Sequence, residues 1–311
     1  MQQASDHNPG LTLSRLNSDH KNTERADNTP TDRSDEISPN QNISDKQDSD
    51  DLVEQHPLYL SPPSLCSYLP DRASQLTFML LPEAQGIDRL LYTYLSHQGF
   101  RRSGKAIYRP NCHHCQQCIA SRVVVNDFHP SRRYRRVLNR NAQVSINIID
   151  ASKATQEHYG LYQKYISARH ADGDMYPPSL HTFEQFLIDS PADTVFMEFR
   201  EPNNKLLAVA VTDKLSDGLS SIYTFFDPDP SYHSRSLGVF CILQQIEMAK
   251  SLGLTYAYLG YWIPSVKKMS YKTEYAPIEL LINQQWLRFE TQPNHNEVLA
   301  LLNTKPVQLQ S

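Results

Sequence analysis

An α/β (α+β) fold is predicted for this 311-residue chain from three observations. Residues 195–226 read as three successive short strands broken by Pro202-Asn203-Asn204 and Ser216-Asp217-Gly218. Two helical patterns precede them, Thr155 to His170 and Leu180 to Ile188, and a longer apolar helix from Leu237 to Ser251 follows them. The chain then returns to a strand-like run, Leu254 to Leu259, directly after Gly253, a natural helix stop.

The elements before residue 150 are shorter and more irregular. Residues 1–55 carry 12 acidic and 5 basic side chains and no aromatic residue. Such a segment cannot bury enough apolar area to offset its chain entropy, so a disordered acidic tail is expected there. Order is expected to begin near Leu58, with the Pro-rich LYLSPPSLCSYLP as a turn-rich loop that carries Cys66. Leu76 to Leu81 reads as a strand and Ile87 to His97 as a helix stopping at Gly99. Phe100 to Tyr108 and Val123 to Val125 read as two further strands. Arg132 to Asn141 reads as a basic helix after Pro130-Ser131, and Val144 to Ile149 as a strand that closes this half. The change of pattern past Asp150 suggests a smaller cysteine-containing domain over 56–150 and a second domain over 151–311.

Charge separates the parts. The net charge of −4 averages a tail of −7 with a remainder of +3, and residues 101–141 hold ten Lys or Arg against Asp127 alone. Arg109, Arg122, Arg132, Arg133, Arg135, Arg136 and Arg140 are therefore candidates to hold a phosphate backbone, the alternative being a solvated face. With no secretory pattern and no apolar run near 18 residues, a cytoplasmic protein without a membrane span is expected.

Three cysteines, Cys112, Cys115 and Cys118, repeat at a spacing of three, and Cys66 is a candidate fourth from across space. Soft thiolates at this spacing suit zinc or an iron–sulfur cluster, with His113 and His114 as substitute ligands. Unligated reduced thiols are the alternative. Cys241, inside the apolar helix, is expected in the core.

Helix pair, antiparallel strands and then strand–helix–strand is the element order of an N-acetyltransferase-like acyl-transfer fold. In that fold the turn before the long helix binds the pyrophosphate of coenzyme A through backbone amides. Arg235-Ser236-Leu237-Gly238-Val239-Phe240 stands there, and bulky Phe240 is expected to obstruct a close backbone approach, which disfavours coenzyme A as donor. Beyond it, Tyr261, Lys267, Lys268, Tyr271 and Lys272 interleave aromatics with cations, a composition suited to a base and phosphate or to a peptide and carboxylate.

At this point several motifs, in matching order, resemble one family. CSYLP at 66–70, YRPNCHHCQQC, RVVVNDFHPSRRYRRVLNRN, SRSLGVF and YLGYWIPSVKKMSYK are similar to the aminoacyl-tRNA–protein transferases, and within them to the bacterial leucyl-transferring branch. The resemblance spans about residues 58–290. It implies transfer of leucine from leucyl-tRNA to proteins with an N-terminal Asp or Glu, which marks them for degradation. An arginyl-tRNA donor and a non-catalytic zinc-containing RNA-binding protein are the alternatives. The arginyl-transferring relatives carry C-x-Y-C near the N-terminus and an adjacent cysteine pair. Here Leu69 stands at the second cysteine and no adjacent pair exists, a departure that bears on a carried-over cluster. The ester of aminoacyl-tRNA is already activated, so the chemistry requires no cofactor. Asp227, after the Tyr223-Thr-Phe-Phe strand, is the candidate to relay the amine proton, with Tyr223 beside it; Asp227 could equally cap a turn. Arg235, Ser236, Lys267, Lys268 and Lys272 are the candidates for binding the acidic acceptor or the donor.

Overall fold

The computed structural model describes residues 57–81, 86–173 and 175–303. The acidic segment 1–55 lies outside the described residues.

An eight-stranded sheet forms the centre of the described chain. Its strands stand in the order β14-β13-β7-β12-β11-β10-β9-β8. These are β7 (Ile119–Val124), β8 (Ser145–Asp150), β9 (Thr194–Arg200), β10 (Leu206–Lys214), β11 (Gly218–Phe226), β12 (Tyr256–Trp262), β13 (Ile278–Ile282) and β14 (Gln285–Phe289). A smaller sheet has the order β1-β4-β6-β5, made by β1 (Leu58–Leu60), β4 (Leu76–Leu80), β5 (Arg101–Ser103) and β6 (Ala106–Pro110). A two-stranded ribbon joins β2 (Ser64–Leu65) to β3 (Ala73–Ser74). The run Phe100 to Tyr108, expected as one strand, is a hairpin: the chain turns after Ser103, and Arg102 pairs back against Ile107.

The meander expected over 195–226 is present as β9, β10 and β11, all antiparallel neighbours. Every residue of β9 is buried, as are Leu206 to Asp213 of β10, because helices cover the sheet on both sides. On one side lie α2 (Arg132–Arg140) and α5 (Leu237–Ser251), packed through Val137, Phe240 and Ile246 against Val123, Phe199 and Ala208. On the other lie α3 (Gln156–Arg169) and α4 (Leu180–Phe183), packed through Tyr162, Ile166 and Phe183 against Phe196, Val209 and Phe225. The smaller sheet and α1 (Arg89–His97) add a third core, where Leu91, Leu95, Phe100 and Ile107 meet Leu215 and Tyr258. A last helix, α6 (His295–Asn303), covers β13 through Val298.

The boundary suggested at residue 150 does not separate two sheets. β7, from before it, pairs with both β12 and β13, and β8 pairs along its length with β9. Cys241 is fully buried, as its place in the apolar helix required.

The ends of the key helices follow from local chemistry. Asp88 caps α1 by accepting from the amides of Leu90 and Leu91, and Ser131 caps α2 by accepting from Tyr134. In α2 only Tyr134 and Val137 are buried, with Tyr134 stacked on Tyr275 at 5.1 Å between ring centroids. That anchorage turns the arginines of Arg-Arg-Tyr-Arg-Arg outward. Among the described residues no helix is long and apolar enough to cross a membrane.

Candidate active site where two parallel strands part

β11 and β12 are parallel, and they pair over three residues only, from Gly218↔Tyr256 to Ser220↔Tyr258. At Gly218 the strands lie so close that a Cβ would come 2.6 Å from the Tyr256 carbonyl oxygen. Directly past the last pair both strands bulge. The register of β11 on β10 skips Ile222, and that of β12 on β7 skips Leu259. A bulge adds a residue to one strand and bends it. Two bulges at the same level part the strands and open a gap over the middle of the sheet.

Aromatic groups hold the β11 side of the gap. Tyr223 packs among Tyr162, Tyr165 and Phe186, with ring centroids 5.4–6.4 Å apart, and its hydroxyl is buried without a partner. Burial, then Tyr165 and Tyr162, pushes the Tyr223 phenol well above its ordinary value, so it stays protonated. Tyr165, in the last turns of α3, lies 4.8 Å from Phe226 and bonds with its hydroxyl to His170 Nε2 at 3.3 Å. The pKa of His170 is lowered by burial and then by Lys268, against an opposing effect of Asp172, with Arg169 adding to the fall.

The β12 side is built on Gly260, whose φ of +80° suits glycine. Lys272 donates to the Tyr261 carbonyl at 2.7 Å, and its Nζ lies 3.4 Å from where a Gly260 Cβ would stand. Burial, and then the charge of Arg101, bring the Lys272 ammonium down to about 7. The Tyr261 hydroxyl lies 2.7 Å from the Gly99 carbonyl and 3.2 Å from that of Tyr108, which fixes the smaller sheet onto this edge. Replacing Gly260 with Ala forces a left-handed backbone on a residue with a Cβ and crowds Lys272. We expect a loss of about 1–2 kcal/mol of stability, measured by urea denaturation.

The other residues singled out in the sequence fall into three places. Asp227, at the end of β11, is not a free base. Its carboxylate meets Lys164 at 2.6 Å and Lys205 at 3.0 Å and accepts from the Asp229 amide at 3.1 Å. Burial alone would raise its pKa, but the two lysines and that amide hold it below the ordinary carboxylate value. Arg235 is likewise engaged, with Asn141 at 2.9 Å and Glu201 at 2.8 Å, and Ser236 turns the chain into α5 at φ +52°. Phe240 does not obstruct that turn, because it points into the core and packs on Phe199 at 5.4 Å. The steric argument against coenzyme A therefore does not hold.

The arginines of α2 are exposed. Arg133 pairs with Glu274, Arg135 donates to the Pro130 carbonyl at 2.7 Å and Arg140 to that of Ser234 at 2.8 Å. Arg132 and Arg136 make no ion pair among the described residues. Arg122 is buried, paired to Glu279 at 2.7 Å and stacked between Tyr256 at 3.6 Å and Trp286 at 4.1 Å. Arg109 donates to the Gln98 carbonyl at 3.2 Å, and Lys268 faces Asp172 at 3.9 Å. Lys267 and Tyr271 are exposed on the 3-10 segment Lys267–Glu274, beside Lys272.

Cys66, Cys112, Cys115 and Cys118 gather as half-buried free thiols next to Tyr68 and Tyr108. Burial, then Cys115, Cys112 and Cys66 in turn, pushes the Cys118 thiol up to about 12. The Gln75 amide lies 3.5 Å from Cys112 Sγ. Four sulfurs are a soft donor set, but among the described residues no three of His, Cys, Asp or Glu are placed to hold a metal ion.

Three residues of the gap escaped sequence reasoning: Tyr165, His170 and Arg101. Tyr165 lies in the final turns of α3 and His170 directly after it, five residues apart, where their spacing looks like ordinary packing. Arg101 sits in a short strand beside an arginine of opposite orientation.

Two family profiles match the chain: "Arginine-tRNA-protein transferase, N terminus" over residues 64–136 and "Arginine-tRNA-protein transferase, C terminus" over residues 157–282. The "Aspartate/glutamate leucyltransferase" of Acinetobacter baumannii strain ATCC 17978 is 46% identical, with 79% of this chain and 89% of the relative covered. That of Acinetobacter baylyi is 45% identical over 78% and 88% of the two chains. That of Pseudomonas aeruginosa strain LESB58 is 50% identical over 74% of this chain and 95% of the relative. The chain belongs to the aminoacyl-tRNA–protein transferase family: it is an aminoacyltransferase whose donor is a charged tRNA and whose acceptor is a protein.

Proposed function

We propose that this protein transfers leucine from leucyl-tRNA to the α-amine of proteins that begin with Asp or Glu, in the cytoplasm, as a mark for degradation. The observation that carries it is the gap between β11 and β12, lined by tyrosines and an unpaired lysine, in a chain with an exposed arginine helix. The leucine and the acidic acceptor are supported by the name that the relatives carry.

The reaction is an aminolysis. The acceptor nitrogen attacks the ester carbonyl of the aminoacyl group, the C–N bond forms, and the C–O bond to the tRNA ribose breaks. The ribose oxygen leaves with a proton and the amine gives one up. An α-amine has a pKa of about 7.7–8.0, so roughly a tenth to a sixth is neutral at pH 7. Orientation therefore dominates the rate, and the base has a modest task. His170, reached through the Tyr165 hydroxyl, is the proposed proton acceptor. Asp227 acts instead by fixing the end of β11 between Lys164 and Lys205. Tyr223 lines the gap and excludes water.

His170→Ala is expected to lower kcat by about 100-fold, the low end of general acid–base effects. The sign of its pH dependence follows from its lowered pKa. The ring is neutral and competent at pH 7, and its contribution is lost as pH falls below the ordinary histidine value of 6.5. Lys268, Arg169, Asp172 and Tyr165 face the ring and set that limb. The variant should lose it and keep the limb of the acceptor amine near pH 8.

The test of the function is purified protein with labelled leucyl-tRNA or arginyl-tRNA and peptides beginning with Asp, Glu, Arg or Lys. Leucine on the Asp and Glu peptides is the expected result. Arginine transfer would replace the donor assignment, and tRNA binding without transfer would leave the RNA-binding reading. Metal analysis after anaerobic purification tests the cysteines separately. If they hold zinc or an iron–sulfur cluster, Cys115→Ser lowers metal content and melting temperature together.

A further inference from the structure

Buried charge in this protein is matched. Arg102 meets Asp213 at 2.6 Å, Arg200 meets Glu198 at 2.9 Å and Asp227 meets two lysines. Arg101 and Lys272 depart from that pattern. Arg101 is 5% exposed, and its Nε is buried with no partner. Its other nitrogens reach only backbone carbonyls, Phe100 at 3.1 Å and Ser121 at 3.5 Å. Lys272 has the Tyr261 carbonyl alone. Neither makes an ion pair among the described residues. The unpaired buried charge of Arg101 is costly, and the half-buried ammonium of Lys272 near it raises the cost further.

We propose that Arg101 and Lys272 together form the pocket for the acidic side chain of the acceptor's first residue. The inference rests on the acceptor reading above. It deepens that reading by assigning the charge that selects Asp or Glu. Two other cations near the motifs are already committed to carboxylates: Arg122 to Glu279 and Arg235 to Glu201. Lys272 stands over Gly260, where β12 leaves β11, so a carboxylate bound there puts its α-amine at the gap. The free Nε edge of Arg101 supplies a planar donor that matches a carboxylate, and Lys272 supplies a point charge. Beneath them the Tyr258 ring, 5.1 Å from the Arg101 guanidinium, is fully buried and keeps water out. The depressed ammonium of Lys272 accords with a cation pair that lacks its counter-ion and is restored by one. A carboxylate fits better than a tRNA phosphate, since a phosphate brings a ribose on either side and the exposed arginines of α2 suit it.

The test uses the full chain with leucyl-tRNA and peptides that differ only in starting with Asp or Asn. In the wild type, kcat/KM should favour Asp by about 10-fold or more. Lys272→Met and Arg101→Met should each bring that ratio close to 1 and leave tRNA affinity within about 2-fold; Lys272→Arg should restore most of it. Melting temperatures identify any variant that fails to fold, and Lys272→Met, at a half-buried position, keeps the test open if Arg101→Met unfolds. A wild type that transfers leucine, with folded variants that keep the Asp-over-Asn ratio, overturns the pocket and leaves the function standing. Loss of tRNA affinity with the ratio intact overturns it too, by placing the pair on the donor. If the wild type transfers nothing, binding of the same peptides by calorimetry decides. An Asp-over-Asn preference that Lys272→Met abolishes supports the pocket while the transfer reading falls, and no such preference overturns both.

Discussion

Asp213→Ala should lower stability by about 3–5 kcal/mol, the cost of stranding a buried charge by removing its partner. For a domain of this size that is a fall in melting temperature of roughly 6–20 °C. Asp213 sits on β10 with no exposed side-chain surface, and Arg102, equally buried, meets it through Nε at 2.6 Å and a second nitrogen at 3.0 Å. Tyr92 at 2.9 Å and Thr194 at 2.6 Å also donate to the same carboxylate. One carboxylate thus ties α1, β5, β9 and β10 together and joins the smaller sheet to the larger. The double change Arg102→Met with Asp213→Leu should recover a large part of the loss, because it removes both charges and fills the space. Thermal unfolding of the three proteins checks this. A double variant no more stable than Asp213→Ala would show that shape, and not the stranded arginine, accounts for the loss.

That ion pair also marks where the sequence stops being informative. The basic helix α2 could be read directly from its strong helical period, and helix α5 and the meander β9–β11 from apolar runs with clear breakers at their ends. Their pairing partners could not. β7 inserts between β12 and β13, more than 130 residues further along the chain, and nothing in Ile119–Val124 announces those neighbours. The same distance in sequence hides the states of single side chains. Asp227 could be read as a proton relay or as a turn cap; its carboxylate accepts the Asp229 amide, as a cap would, and Lys164 and Lys205 close on it from other elements. Phe240 looked like an obstruction because the turn was read without the helix face that carries the ring inward. The hairpin of β5 and β6 was marked by Ser103-Gly104, a turn signal inside the run that was read through as strand; Gly104 takes φ +55° there and Arg102 pairs back on Ile107. Ile278–Ile282 alternates in burial but not in sequence, where Ile-Glu-Leu-Leu-Ile has a single polar residue, so this strand and the one after it were not read. The gap itself depends on two bulges, and a bulge is a relation between strands, not a composition. The sequence carried the aromatic and basic residues of the site, yet said nothing of which cations would lack a counter-ion.

Replacing Arg132, Arg133, Arg135 and Arg136 with Ala should have its effect on tRNA alone. Tyr134 and Val137 anchor α2 in the core, and the four arginines project from the other side, so the helix should keep its place. Each tRNA phosphate deprived of its arginine should flatten the dependence of log affinity on log salt by about 0.7–0.9. Four such phosphates would remove roughly 3 from the slope, which near physiological salt corresponds to a loss of affinity on the order of 100-fold or more. The structure orders the single contributions. Arg132 and Arg136 have no internal ion pair and are free to reach phosphates, whereas Arg133 must first leave Glu274 and Arg135 the Pro130 carbonyl. Arg132→Ala with Arg136→Ala should therefore account for at least half of the change in slope. Glu274→Gln should strengthen tRNA binding slightly, by releasing Arg133. Filter binding of leucyl-tRNA across a salt series measures all of these. An unchanged slope in the fourfold variant would make the patch a solvated face and move the tRNA-binding surface to another part of the molecule. A slope that flattens equally for every arginine would mean that the internal pairs of Arg133 and Arg135 open on binding without cost.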